Sequence, residues 1–264
     1  MRSKSSVSTT QAERTSNEKV DELVKKSFTN ATQMMAKAGY KIPDNVKVTV
    51  DPQLPFMGYT MPTRQGFNIV VAGGAVGSGM LEGLLVHEMS HIYRIATNHP
   101  SHNGEILEEA VQHVAGTSSL ADYQQKIIHD LLNDIQDLYA DDLALRVFRT
   151  TPTPVLDQMT EFFQSWVKSE PIRSGTKNRD SWENASIMTH NARAIAQMER
   201  HHIEDTDNRA TKASETFLKQ VSPSIAKEFD YFRNTLLNLK ENMTENEYKT
   251  LLADYLDRFL RITK

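Results

Sequence analysis

Leu81-Glu82-Gly83-Leu84-Leu85-Val86-His87-Glu88-Met89-Ser90-His91-Ile92-Tyr93 is the stretch from which the rest of the chain can be read. Leu81, Leu84, Leu85 and Ile92 recur at helical spacing, which predicts a buried helix. His87 and His91 stand four apart, so on that helix they lie on one face, one turn above the other, and both imidazoles can reach a single ion. Glu88 follows the first histidine, where its carboxylate can take a proton from an attacking water. The pattern H-E-x-x-H therefore predicts a zinc site, one ion per chain, with His87 and His91 as ligands and Glu88 as the base.

The surroundings of the motif predict strand, turn, helix. Phe67 to Ala72 reads as a strand and Gly73 to Gly79 as a glycine-rich turn. The apolar run from Phe67 to Val86 is long enough for a membrane span, but its glycines and Glu82 favour strand, turn and helix start. The same glycines do not make a phosphate loop, because Met80 and Leu81 follow Gly79 where Lys and Ser or Thr would be needed. The strand Phe67 to Ala72 can be read either as an ordinary structural strand or as a sheet edge that pairs with extended peptide.

Upstream, Val20, Leu23, Val24, Phe28, Ala31, Met34 and Met35 predict a helix from Ser16 that stops at Gly39, and Val46 to Val50 alternates like a strand. Residues 1 to 15 read as a disordered tail, and Asp51 to Gly66, with Pro52, Pro55, Gly58 and Pro62, as loop. Downstream the pattern is helical: about Ile106 to Ala115, about Ala121 to Phe148, a segment after Pro154, and further helices from about Ser181. Ser222-Pro223 is read as a helix start, and Thr244 to Glu247 as a capping box for a last helix through Leu260. The expected fold class is α+β, mostly α. It comprises a small sheet and the motif helix in residues 16–150 and a helical region in 151–264, which can also pack into the same domain.

With 264 residues and 39% hydrophobic side chains the chain can build a sizeable core. A net charge of -4 gives no footprint for nucleic acid or an anionic membrane. No cysteine is present, so His, Asp and Glu must hold any metal. The polar start implies no secretory signal, and a cytoplasmic setting is the expectation.

A catalytic zinc usually takes three protein ligands. Arg94 and Thr97 occupy the positions where the compact extended motif has glycine and a third histidine. His99, in the turn-rich loop Asn98 to Gly104, and the pair Glu108 and Glu109 remain candidates. So does an acidic row, Asp130, Asp134, Asp137 and Asp141, spaced 4, 3 and 4 along the long helix. Such a row is either a solvated face or a set of stacked like charges that a bound cation would relieve. Candidates for stabilising an oxyanion are His190, His201, His202, Tyr59 and Arg193, and nothing in the sequence chooses among them.

His87-Glu88-Met89-Ser90-His91 followed by Asp137-Leu138-Tyr139-Ala140-Asp141 resembles the gluzincin arrangement of zincin metallopeptidases, in which a downstream helix carries E-x-x-x-D. The local pattern is most similar to the M48-like peptidases and to uncharacterised zinc peptidases of microbes. The resemblance implies a zincin-like catalytic core with Asp137 as the third ligand. Asp141 would accept a hydrogen bond from a ligating histidine and hold its ring. Asp137 stands where the family has glutamate, one methylene shorter, so its helix must come closer to the metal. The activity implied is hydrolysis of peptide bonds in a peptide or protein substrate, with Glu88 as general base. The alternative expectation is a metal-binding but non-proteolytic protein, a helical adaptor or an inactive relative.

Overall fold

The computed structural model describes residues 6–116, 119–151 and 155–264. It is α+β and mostly α, with three strands among ten helices in the described residues. The chain divides into two compact units, Met1–Ala96 with Arg146–Thr153, and Thr97–Leu145 with Pro154–Lys264. The long helix α4 (Asp122–Thr150) has most of its length in the second unit and its last turn in the first.

In the first unit α1 (Ser6–Lys37) is longer than its apolar repeat indicated, and covers residues 6–15, where a disordered tail was expected. Residues 1–5 of that expected tail lie outside the described residues. Gly39 ends α1 in the left-handed region at φ 89°, with its N–H donating to Ala36 O and that of Tyr40 to Met35 O. Then follow β1 (Val46–Asp51), β2 (Gly58–Thr63), β3 (Gly66–Ala72) and the motif helix α2 (Leu81–Ala96).

The sheet order is β1-β3-β2, with β1 parallel and β2 antiparallel to β3. Two expectations change. Gly58–Thr63 is a strand rather than loop, and Phe67 to Ala72 belongs to the central strand, so it is no edge on which a peptide could pair. Proline explains the first. Pro62 sits opposite Phe67, and Met57, one residue outside β2, accepts from the N–H of Ala72. The alternation of an antiparallel ladder then puts Pro62 in a pair whose backbone groups point away from β3, where its missing N–H costs nothing. Ile69 and Val71 of β3 are fully buried, with Met35 of α1 and Leu85, Met89 and Ile92 of α2.

The second unit is helical: α3 (Gly104–Ala115), most of α4, α5 (Val155–Trp166), α6 (Lys177–Arg200), α7 (Arg209–Leu218), α8 (Pro223–Ala226), α9 (Phe229–Leu237) and α10 (Glu245–Ile262). One apolar cluster joins all of these but α5, and in it Tyr139, Met188, Phe217, Phe232, Tyr248 and Phe259 are buried. Each buried Met or Phe contributes about 1.5–3 kcal/mol of transfer free energy. The expected capping box is formed: Thr244 Oγ1 accepts from Glu247 N, and Glu247 accepts from Thr244 N. Ser222 stands at the N-cap of α8, but its side chain makes no capping bond. No described helix is long and apolar enough to cross a membrane.

Candidate metal centre

Helix α2 buries Leu81, Leu85, Val86, Met89 and Ile92, which leaves His87 and His91 half-buried on the adjoining flank. Three contacts in the first unit fix the helix. Thr60 Oγ1 of β2 donates to Glu88 O at 3.2 Å, Asn30 Nδ2 of α1 donates to Glu82 Oε1 at 2.6 Å, and Tyr93 packs edge-on against Tyr40. The Nε2 atoms of His87 and His91 are 3.1 Å apart. Two ligands about 2.0–2.1 Å from one tetrahedral zinc are separated by roughly 3.3 Å, so this spacing suits a shared ion. Glu88 between them is buried.

The acidic row of α4 runs from solvent into the core of the second unit. Side-chain exposure is 48% for Asp130, 17% for Asp134, 34% for Asp137 and 8% for Asp141. It is therefore neither a uniformly solvated face nor a row of uncompensated charges. Asp130 pairs with Lys126 at 2.5 Å. The other three share Arg193 of α6, whose side chain is 3% exposed. Its Nη1 donates to Asp134 Oδ1 at 2.6 Å. Its Nη2 stands 3.4 Å from Asp137 Oδ2 and 3.5 Å from Asp141 Oδ2, linked by charge rather than by a formed hydrogen bond. Burial opposes the charge on Arg193, but the carboxylates of Asp134, Asp137 and Asp141 overcome it and raise its pKa above the ordinary value. The guanidinium also lies over the Trp166 ring, 4.8 Å from its centre.

Next on α4, Asp142 has cations of its own. Arg200 forks onto it, and His201 Nε2 is 2.7 Å away. Burial alone would raise the Asp142 carboxyl, yet hydrogen bonds from His201 and Arg200 hold it below the usual carboxylate value.

His87 and His91 belong to the first unit and Asp137 to the second; by residue type, two imidazoles and a carboxylate, they are a possible metal-binding set. The other candidates for third ligand have different engagements. His99 Nε2 bonds Glu241 O at 2.9 Å and its Nδ1 the buried Ser101 hydroxyl at 2.7 Å. Glu108 accepts from Gln112, and Glu109 pairs with Lys249. Among the oxyanion candidates Arg193 and His201 are buried against carboxylates, which removes them from contact with a substrate. His190 is half-buried, its Nδ1 3.5 Å from Asp134 Oδ2, His202 is exposed, and Tyr59 is exposed on β2. The sequence reading missed the role of Arg193 as counter-charge to the acidic row. Its only signal was that His190 and Arg193 share a face of α6, which does not specify a partner on another helix.

Residues 19–261 match a model described as "Family of unknown function (DUF5781)". No curated protein and no solved structure matches the chain.

Proposed function

The chain belongs to the family of unknown function DUF5781, so its activity has to be argued from its own residues, and we propose that it is a zinc-dependent metallopeptidase of the gluzincin kind. One observation carries the reading: two imidazole Nε2 atoms 3.1 Å apart on an H-E-x-x-H helix, with the glutamate of the motif buried beside them. Two nitrogens and one oxygen are a donor set that zinc accepts, and three protein ligands leave a position for substrate. A zinc ion held there would polarise the scissile carbonyl and ease deprotonation of the attacking water.

The residues divide the work. His87, His91 and Asp137 hold the ion. Glu88 takes the proton of the water as it attacks the carbonyl and passes it to the leaving amine. Thr60 fixes the main chain at Glu88 and so steadies the base. Asp141 orients the donor set.

A second reading has one observation in its favour. Arg193 already compensates Asp137, so Asp137 can serve as a structural carboxylate in a protein that binds metal without cleaving peptides. Elemental analysis of wild type and Asp137→Ala separates the two. The peptidase reading expects about one zinc per wild-type chain, lost or sharply weakened in the variant. Zinc retained in Asp137→Ala removes the third ligand, and wild type that stays metal-free after zinc is supplied removes the reading altogether.

A further inference from the structure

The two edges of the sheet are not alike. On β2 the outer edge is blunted by Pro62, which presents no N–H. On β1 the residues at the outward positions, Val46, Val48 and Val50, all keep their N–H, and the exposed Lys47 is the strand's one basic residue. Phe67 N donates to Asn45 O, and the register pairs Val46 with Phe67. In a parallel ladder each bonding residue directs both its N–H and its C=O to one neighbour, and bonding residues alternate. Asn45, Lys47, Thr49 and Asp51 therefore face β3, while Val46, Val48 and Val50 direct their main-chain groups outward. Among the described residues no strand pairs with that edge.

The side chains of the same three valines are half-buried and form one wall of an open groove of about 860 Å³. Val20, Val24 and Phe28 of α1 form the other. Asp21 and Lys25 stand on the rim, one charge of each sign, so the groove selects for apolar surface rather than for net charge. An occupant has to bond a row of alternating N–H and C=O groups and, in register with it, fill a valine-walled trough. A helix satisfies only the second condition. An extended chain with an apolar residue at every second position satisfies both.

We propose that the β1 edge, with the α1 groove beneath it, is a docking site for an extended peptide segment of another protein, added as a fourth strand. The site does not rest on the metal reading. A chain added there lies three strand spacings, roughly 14 Å, from β2, the strand bonded to α2 at Glu88. It is a site for holding a partner, not for cleaving it.

The test uses the full chain and a fluorescein-labelled heptapeptide of alternating valine and lysine, read by anisotropy. Saturable binding is expected. It should weaken tenfold or more in Val48→Pro, which removes an outward N–H, and in Val20→Lys, which charges the groove wall without touching the strand. The same peptide N-methylated on the amides that would face β1 should not bind. Val20→Lys keeps the test decisive if Val48→Pro fails to fold. Absence of saturable binding to wild type overturns the proposal, as does equal binding of the N-methylated peptide or unchanged binding in Val20→Lys. A concentration-dependent dimer in sedimentation, lost in Val48→Pro, would make the occupant a second copy of this chain and overturn the partner assignment.

Discussion

Nη1 of Arg193 lies 2.6 Å from Oδ1 of Asp134, and through that bond one guanidinium on α6 is fixed beside three carboxylates of α4. Without it Asp134, Asp137 and Asp141 would stack as like charges at the border of an apolar core, so the second unit carries its own counter-ion.

Replacing Arg193 by methionine keeps most of the packing on Trp166 and strands those carboxylates. A loss of about 3–5 kcal/mol is expected, measured by urea unfolding at neutral pH. Arg193→Lys should recover only part of it, because an ammonium lacks the planar fork and the flat face. A methionine variant as stable as wild type would show that the cluster contributes nothing to the fold.

Asp142 sets a pH dependence. Its folded carboxyl is held below the ordinary value of 3.8, so the stability it contributes is present in full above that value. That contribution is lost as pH falls through the folded value. Compared with Asp142→Asn, wild type should be the more stable at pH 6, and the gap should close as pH drops below 3.8. A gap that persists unchanged to pH 2 would contradict this account.

Glycine positions differ in what they tolerate. Gly66, at φ 145°, has Asn45 O 2.0 Å from where a Cβ would stand, so Gly66→Ala must push Asn45 away from the start of β3 and should cost at least about 2 kcal/mol. Gly39, at φ 89°, has nothing within 4 Å, and Gly39→Ala should cost only about 1–2 kcal/mol, the conformational penalty alone. Thermal unfolding of the pair tests the ranking.

For the proposed chemistry the sharpest variant is Glu88→Gln, which leaves His87, His91 and Asp137 in place. It should keep its zinc while peptide cleavage falls by at least about 10²–10⁴-fold, the share a positioned base supplies. Retained cleavage in a zinc-loaded variant would remove Glu88 from the mechanism.

How much of this could be read from the chain depends on how local each signal is. The motif helix, the stop at Gly39 and the Thr244–Glu247 box are written within one or two turns, and the structure has them where the spacing put them. Strand β2 was missed because proline and glycine between hydrophobic runs read as loop. Only pairing with β3 reveals that Pro62 faces outward, and without β2 the central position of β3 was equally hidden. The bond from Arg193 to Asp134 spans 59 residues, and no periodicity encodes such a distance.

Strands β2 and β3 are joined by Arg64 and Gln65 alone, while β1 reaches its register on β3 only after the chain has passed through the whole hairpin. Closing the short loop sacrifices little chain entropy, and hairpins of this kind form in roughly 1–10 μs. The antiparallel pair is therefore expected to form first and β1 last. Until β1 arrives, the main-chain N–H and C=O groups of Phe67, Ile69 and Val71 have no strand to pair with. Any delay at that step, whether during synthesis or after heating, leaves β3 as the strand on which misassembly would begin.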